Sequence, residues 1–386
     1  MKKYINRGTI SIFLIYFVLA ASTGVYFPFN ALYLTKTLAF DASQLSLIDG
    51  IAQFSAMLFL PIVGMIGDRI RKTNYLLIVM MIISSIMMFI YSQVVSFSVV
   101  LLVFSAFLIF RRTVFPLLDS IALQHCKNNK LNFGSFRLVY TFTYMVCAVL
   151  MGILFDDKTT ITKDFIYISI AFNILVAVVA IMLPQYHTKQ KESNQYHFKN
   201  LILNKKFIQV SIIVSLGMAS VSIVSMYNSA LINEFGGQIS DVGYATIMQM
   251  LPEVLLSIFV IKKANKVGHL KVINLGLIIL LFRWLIICLF TTYPVFYFST
   301  IIEGTSTILI LIVGLDYLKE IIEPKYMTSA TTTYTSLTLF VYAILVNVSG
   351  VVKTNLGLLP FFMMMFITVA IALVYSISTN WREIKE

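Results

Sequence analysis

The chain has 386 residues, of which 59% are hydrophobic and 12% charged, with a formal net charge of +12 at pH 7. A water-soluble protein of this length cannot cover its surface with so few charges, so a soluble globular fold is excluded. The basic excess fits either nucleic acid or a membrane surface, and its placement along the chain decides between them.

Apolar runs near the roughly 20 residues that a helix needs to cross a bilayer recur along the whole sequence. Spans are expected at about 8–33, 43–66, 74–95, 97–122, 133–154, 164–184, 207–232, 241–261, 269–290, 293–317, 327–350 and 356–379. The short alternating segments of a membrane barrel are not seen. The first run is too long for a secretory signal and has no small-residue cleavage site, so no cleaved leader is expected. The expected fold class is an all-α membrane protein with twelve transmembrane helices.

Twelve spans put both termini on one side, and the basic residues choose it. The N-terminus, the alternate loops beginning with 67–73 and the C-terminus hold 21 of the 29 Lys and Arg residues. The opposite loops hold four: Lys36, Lys158, Lys163 and Lys353. This asymmetry places the basic side, with both termini, in the cytoplasm of a cell membrane. The lysines are spread over short segments facing anionic lipid, which removes the nucleic-acid reading. Residues 185–206 form the longest polar stretch, near the midpoint, and read as a basic cytoplasmic linker. The domains are therefore expected at 1–184 and 207–386, six helices each.

Cys126, Cys147 and Cys288 have no metal-ligand spacing, and the four histidines form no cluster. No metal or cofactor is expected. No Gly-x-x-x-x-Gly-Lys-Ser/Thr loop occurs, so ATP is not the expected energy source.

The two halves echo each other weakly. Gly64-Met-Ile-Gly-Asp68-Arg69-Ile-Arg71-Lys72 follows span 2, and Ala264-Asn265-Lys266-Val-Gly-His-Leu-Lys271 follows span 8. The first resembles the loop motif of the major facilitator superfamily, although Arg71 stands where that motif has glycine. Tyr26-Phe27-Pro28-Phe29, Pro116-x-x-Asp119, Phe133-Gly134-x-x-Arg137, Gly243-Tyr244 and Phe282-Arg283-Trp284 resemble, together, the lactose, phenylpropionate and nucleoside permease group of that superfamily. The resemblance implies the major facilitator fold, two pseudo-symmetric six-helix halves that alternate access to a midplane site. It also implies conformational gating by Gly64, Asp68 and Arg69.

Ionisable residues inside spans are costly unless paired, and each is a functional candidate. Arg112 and Asp119 are seven apart, and seven steps of about 100° return to nearly the same helix face. Arg111 is offset by one step. The resemblance puts Asp119 and Arg137 where an acid and an arginine hold substrate hydroxyls, and Tyr144 where an aromatic ring stacks on the substrate. A salt bridge that only pins two helices remains the alternative. Tyr26, Phe29 and the mid-span Asn30 are further candidates for substrate contact, with Arg112. In the second half, Glu253 after Pro252, Glu303 and Arg283 are candidates for proton coupling, and the sequence does not rank the two carboxylates. The coupling residues of the resembling group are not copied: Met250 replaces an acid, and span 11 has no lysine.

The leading expectation is a secondary transporter of a small polar organic solute (sugar, nucleoside or organic acid). It would work as a monomer, by proton symport. Export of drugs or lipophilic solutes is the first alternative, opposed by Arg111, Arg112, Arg137 and Arg283. A transport-silent receptor is the second, and would usually carry an appended soluble domain. A membrane enzyme would need a nucleophile–base or metal set, which the intramembrane groups do not offer.

Overall fold

The computed structural model describes residues 7–69, 73–129, 131, 133–156, 163–184, 204–322 and 327–383. All the regular structure there is helical: α1 (Arg7–Thr37), α2 (Ala42–Arg69), α3 (Thr73–Gln93), α4 (Phe97–Asn129), α5 (Phe133–Phe155), α6 (Asp164–Ala180), α7 (Lys205–Glu234), α8 (Ile239–Val267), α9 (His269–Leu289), α10 (Tyr293–Ile321), α11 (Met327–Leu356) and α12 (Leu358–Glu383). In lipid every backbone N–H and C=O must be satisfied within its own segment, and the helix does that.

Ten of these helices are each long and apolar enough to cross a membrane. The two pieces of α8, bent by 57° between Leu256 and Phe259, make an eleventh if they form one span. The bend lies a turn beyond Pro252, whose ring removes a backbone donor. Helix α6 is apolar but has only 17 residues. Backbone hydrogen bonds from Ile181, Met182 and Leu183 carry its last turn onward. The set is compatible with twelve spans. Large apolar side chains such as Leu102, Phe142, Leu154, Leu255, Phe259 and Val374 are exposed, which suits a lipid-facing surface and no aqueous one.

The chain divides into two compact units. Unit 1 is Met1–Phe40 with Leu47–Ser193, and unit 2 is Asp41–Ser46 with Asn194–Glu386. Residues 185–203 of the expected linker lie outside the described residues. In unit 1, Ile12, Ile15, Leu19, Leu77, Met81, Leu118 and Phe136 belong to one buried apolar core. In unit 2, Asn204 caps α7 by accepting from the Phe207 N–H at 3.1 Å. Gln238 and Asp241 close a reciprocal box at the start of α8. Gly268, at φ 105°, makes the turn from α8 to α9, a backbone conformation that a side chain disfavours.

Candidate functional site

In unit 1 the site is built on α1, α4 and α5. Arg137 Nη2 donates to Asp119 Oδ2 at 2.6 Å, and Tyr16 Oη donates to Asp119 Oδ1 at 2.5 Å. Both carboxylate oxygens are thus engaged, one from each neighbouring helix. The arginine side chain keeps 46% exposure and the aspartate 17%. The guanidinium carbon stands 4.3 Å from the Phe115 ring centre and 5.7 Å from that of Phe133, so aromatic faces hold what the carboxylate does not. Tyr140 meets Phe115 edge-on at 4.9 Å, and Tyr144 stacks on Tyr140 at 6.5 Å. The structure therefore joins Asp119, Arg137 and, through Tyr140, Tyr144 into one polar-aromatic group.

The neighbouring arginines part ways. Arg112 is exposed on the same stripe of α4 as Pro116 and Ser120, beside Asp119. Arg111 is buried and reaches back to α1, where Nη2 donates to Thr23 Oγ1 at 2.5 Å and to the Leu19 carbonyl at 3.5 Å. Tyr26, Phe29 and Asn30 go elsewhere. Asn30 Oδ1 accepts from both Tyr26 Oη and Tyr91 Oη at 2.8 Å. Tyr26 and Phe29 are buried, and Tyr26 stacks on Phe165 at 5.7 Å. Tyr26 and Asn30 thus serve a packed cluster with Tyr91 and Phe165 at the end of α1.

In unit 2 the group is drier. Arg283 Nη2 lies 2.5 Å from Glu303 Oε2, with side-chain exposures of 0% and 3%. Glu303 Oε1 accepts from Ser225 Oγ at 2.6 Å and from Gln249 Nε2 at 2.8 Å. Gln249 Nε2 also donates to Ser225 Oγ at 3.0 Å. Arg283 Nε donates to Ser299 Oγ at 3.2 Å, its guanidinium lies over the Trp284 ring, and its Nη1 finds no acceptor among the described residues. Four helices, α7 to α10, converge here. Gly304 allows this, because a Cβ there would collide with the Gln249 carbonyl. The widened π-type turn at Ile308–Ile312 follows about one turn beyond Glu303, an irregularity common at functional positions.

Glu253 is half-buried on α8, one residue past Pro252. Gly64, Asp68 and Arg69 end α2, and their side chains lie outside the described residues. Asp316, near the end of α10, accepts from Lys319 at 2.7 Å and lies 3.2 Å from His269. The sequence reading missed Tyr16, Thr23, Ser225 and Gln249 as partners of intramembrane charges. Each meets its charged partner across at least 54 positions of sequence, and no local pattern marks it. Among the described residues no three His, Cys, Asp or Glu side chains group to hold a metal.

Arginine–carboxylate pairs inside helices that cross a bilayer are expected where a polar solute or ion passes. The profile of the MFS_1-like family matches residues 9–364. The chain belongs to that family. An uncharacterised transporter of Bacillus subtilis (strain 168), YwbF, is 29% identical over 82% of this chain and 79% of its own length. The maltose permease of Geobacillus stearothermophilus is 21% identical over 84% of this chain and 82% of its own. Among solved structures, a mutant of the nucleoside transporter NupG superposes with a TM-score of 0.82 at 16% identity, over 97% of this chain and 98% of that one. A bacterial homologue of the human lysosomal transporter Spinster reaches 0.73 at 14% identity, over 96% of each chain. This member of the MFS_1-like family is thus a multi-pass membrane transporter, not an enzyme, and carries a small molecule.

Proposed function

We propose that the protein is a proton symporter of a small polar organic solute, working as a monomer in the cell membrane by alternating access, with both termini cytoplasmic. The buried Arg283–Glu303 pair carries the reading. Taking two charges out of water costs several kcal/mol per ion, and an apolar pair of similar volume is often as stable. Retaining the ions fits a switch better than a strut. A proton and Arg283 compete for Glu303. When the proton wins, the pair loses its attraction and the guanidinium must seek another acceptor, which links proton uptake to rearrangement. Glu303, rather than the half-buried Glu253, is the proton carrier in this reading. Asp119 and Arg137, with Tyr140 and Tyr144 beside them, take the solute: a half-exposed planar fork and aromatic faces suit hydroxyl and carbonyl groups. The maltose and nucleoside transporters among its relatives are in keeping with a polar cargo, as is the 21-to-4 basic asymmetry with the orientation.

The test uses purified protein in liposomes, with maltose, uridine and 3-phenylpropionate as probes. An inward proton gradient should drive accumulation of at least one probe, with proton movement on its addition. Glu303→Gln keeps the size of the side chain and one acceptor oxygen for Ser225 and Gln249, but it cannot ionise and its amide nitrogen cannot accept from Arg283. It should abolish gradient-driven accumulation, about a hundredfold loss of rate for a missing proton-transfer group, and spare exchange of internal for external solute. Accumulation that persists in Glu303→Gln refutes the assignment.

A further inference from the structure

We propose that the solute recognised by unit 1 carries a carboxylate, taken by Arg112 with Arg111 lodged behind it; this rests on the transport reading of the same helix face. Arg111 and Arg112 are adjacent near the middle of α4, and among the described residues neither has an acid within ion-pair distance. Arg111 is only 7% exposed, and its two acceptors, the Thr23 hydroxyl and the Leu19 carbonyl, are neutral. A cation desolvated to that degree normally has an anion beside it. Asp119 pairs with Arg137 instead, and its oxygens take Arg137 and Tyr16. The face therefore carries uncompensated positive charge that an incoming anion would neutralise.

The anion cannot be a lipid headgroup reached by stretching. The span in α4 is expected to end at 122, ten residues and about 15 Å from Arg112 at 1.5 Å per residue, beyond the reach of an arginine stem. An exposed arginine there belongs on a water-reachable face rather than against acyl chains. The same exposed stripe leads from Arg112 past Pro116 to Asp119, about 10 Å along the axis. At its far end Arg137, nearly half exposed, still has N–H groups to give, and Phe115 and Tyr140 line that end. A molecule that spans this face has a carboxylate at one end, an apolar or ring-shaped middle and a neutral hydrogen-bond acceptor at the other. An inorganic anion is too short to use both ends.

Matched probes test this on the whole protein in detergent, without any gradient: 3-phenylpropionate against 3-phenylpropanamide, and glucuronate against glucose. At least one carboxylate should raise the melting temperature and bind at least about tenfold more tightly than its uncharged partner. Arg112→Gln should remove that preference, and Arg112→Lys should restore part of it, because charge survives and the planar fork does not. Stabilisation by neither carboxylate, equal binding of the neutral partners, or an unchanged preference in Arg112→Gln overturns the proposal. If Arg112→Gln does not melt cooperatively, the wild-type comparison and Arg112→Lys decide. The outcome is separable from that of proton coupling: a neutral solute accumulated by a proton gradient refutes the carboxylate alone, and carboxylate binding with coupling intact in Glu303→Gln refutes Glu303 alone.

Discussion

The Asp119–Arg137 pair of unit 1 leaves 46% of its arginine side chain exposed, while Arg283 and Glu303 of unit 2 are 0% and 3% exposed. Both are arginine–carboxylate contacts of nearly equal length, and both carboxylates accept neutral donors as well. Their physics differs all the same. A pair that water reaches is screened and contributes at most about 1 kcal/mol to stability, so its atoms can change partners at little cost. A pair shut away from water is held by a strong field, and losing Glu303 leaves Arg283 an orphan charge with only the Ser299 hydroxyl and the Trp284 ring beside it. The first arrangement suits a group that must release a solute. The second suits one that must register a single proton.

The sharpest way to break the comparison is to remove one acid at a time. Glu303→Leu should strand Arg283 inside unit 2 and destabilise the protein by about 3–5 kcal/mol, with a large fall in melting temperature in detergent. Replacing both partners, Arg283→Met with Glu303→Leu, should recover most of that loss while transport stays dead. Asp119→Leu, in contrast, should cost less, about 1–3 kcal/mol, because the exposed guanidinium finds water and only the buried Tyr16 hydroxyl is left without its acceptor. Equal losses in the two single variants would remove the distinction between the pairs.

A smaller effect probes what the exposed pair is for. Arg137→Lys keeps the charge and loses the fork, so a planar, two-pronged contact with solute disappears. Solute affinity should fall about tenfold, with the melting temperature of the free protein nearly unchanged. Titration calorimetry with whichever probe binds the wild type reads the first quantity and a melting curve the second. Unchanged affinity would reduce Arg137 to a pin between α4 and α5.

The architecture was open to a sequence reading because it rests on one-dimensional quantities. Runs such as the one that becomes α9 are continuous and apolar, since lipid tolerates nothing else for that length. The same holds for single intramembrane charges: Asp119, Arg137, Arg283 and Glu303 stand out against their surroundings. Their partners do not. Tyr16 reads as one more aromatic residue in span 1, yet it supplies a hydrogen bond across 103 positions. Ser225 and Gln249 are unremarkable polar residues until four helices bring them onto Glu303. Tyr26 and Phe29 show the same limit from the other side. Their motif-like setting pointed to solute contact; the structure buries both, with Tyr26 stacked on Phe165 and bonded to Asn30, which Tyr91 also reaches. Composition reports which residues are unusual, and only packing reports which neighbours absorb them. Arg112 shows the same limit: spacing placed it on the face of Asp119, but not that Arg137 and Tyr16 would occupy both oxygens first.

Tyr16→Phe gives the smallest and most discriminating effect. The hydroxyl donates to Asp119 at 2.5 Å, and Phe keeps the ring that packs edge-on to Phe115 at 6.2 Å and stacks on Phe136 at 6.0 Å. Only the donor is lost. Hydrogen bonds to charged groups contribute about 1.5–3 kcal/mol when dry, and partial exposure of Asp119 should bring this one nearer 1 kcal/mol. The freed oxygen then has a choice between Arg137 and solute. If the pair exists to hold solute, Asp119 becomes a better acceptor for a hydroxylated probe, and affinity should rise or hold while stability falls slightly. If the pair exists to pin helices, Arg137 should close over both oxygens and affinity should drop. A double-mutant cycle of Tyr16→Phe with Arg137→Lys, read in binding and in melting, separates the two. Coupling seen in binding supports a solute site, and coupling confined to stability supports a pin.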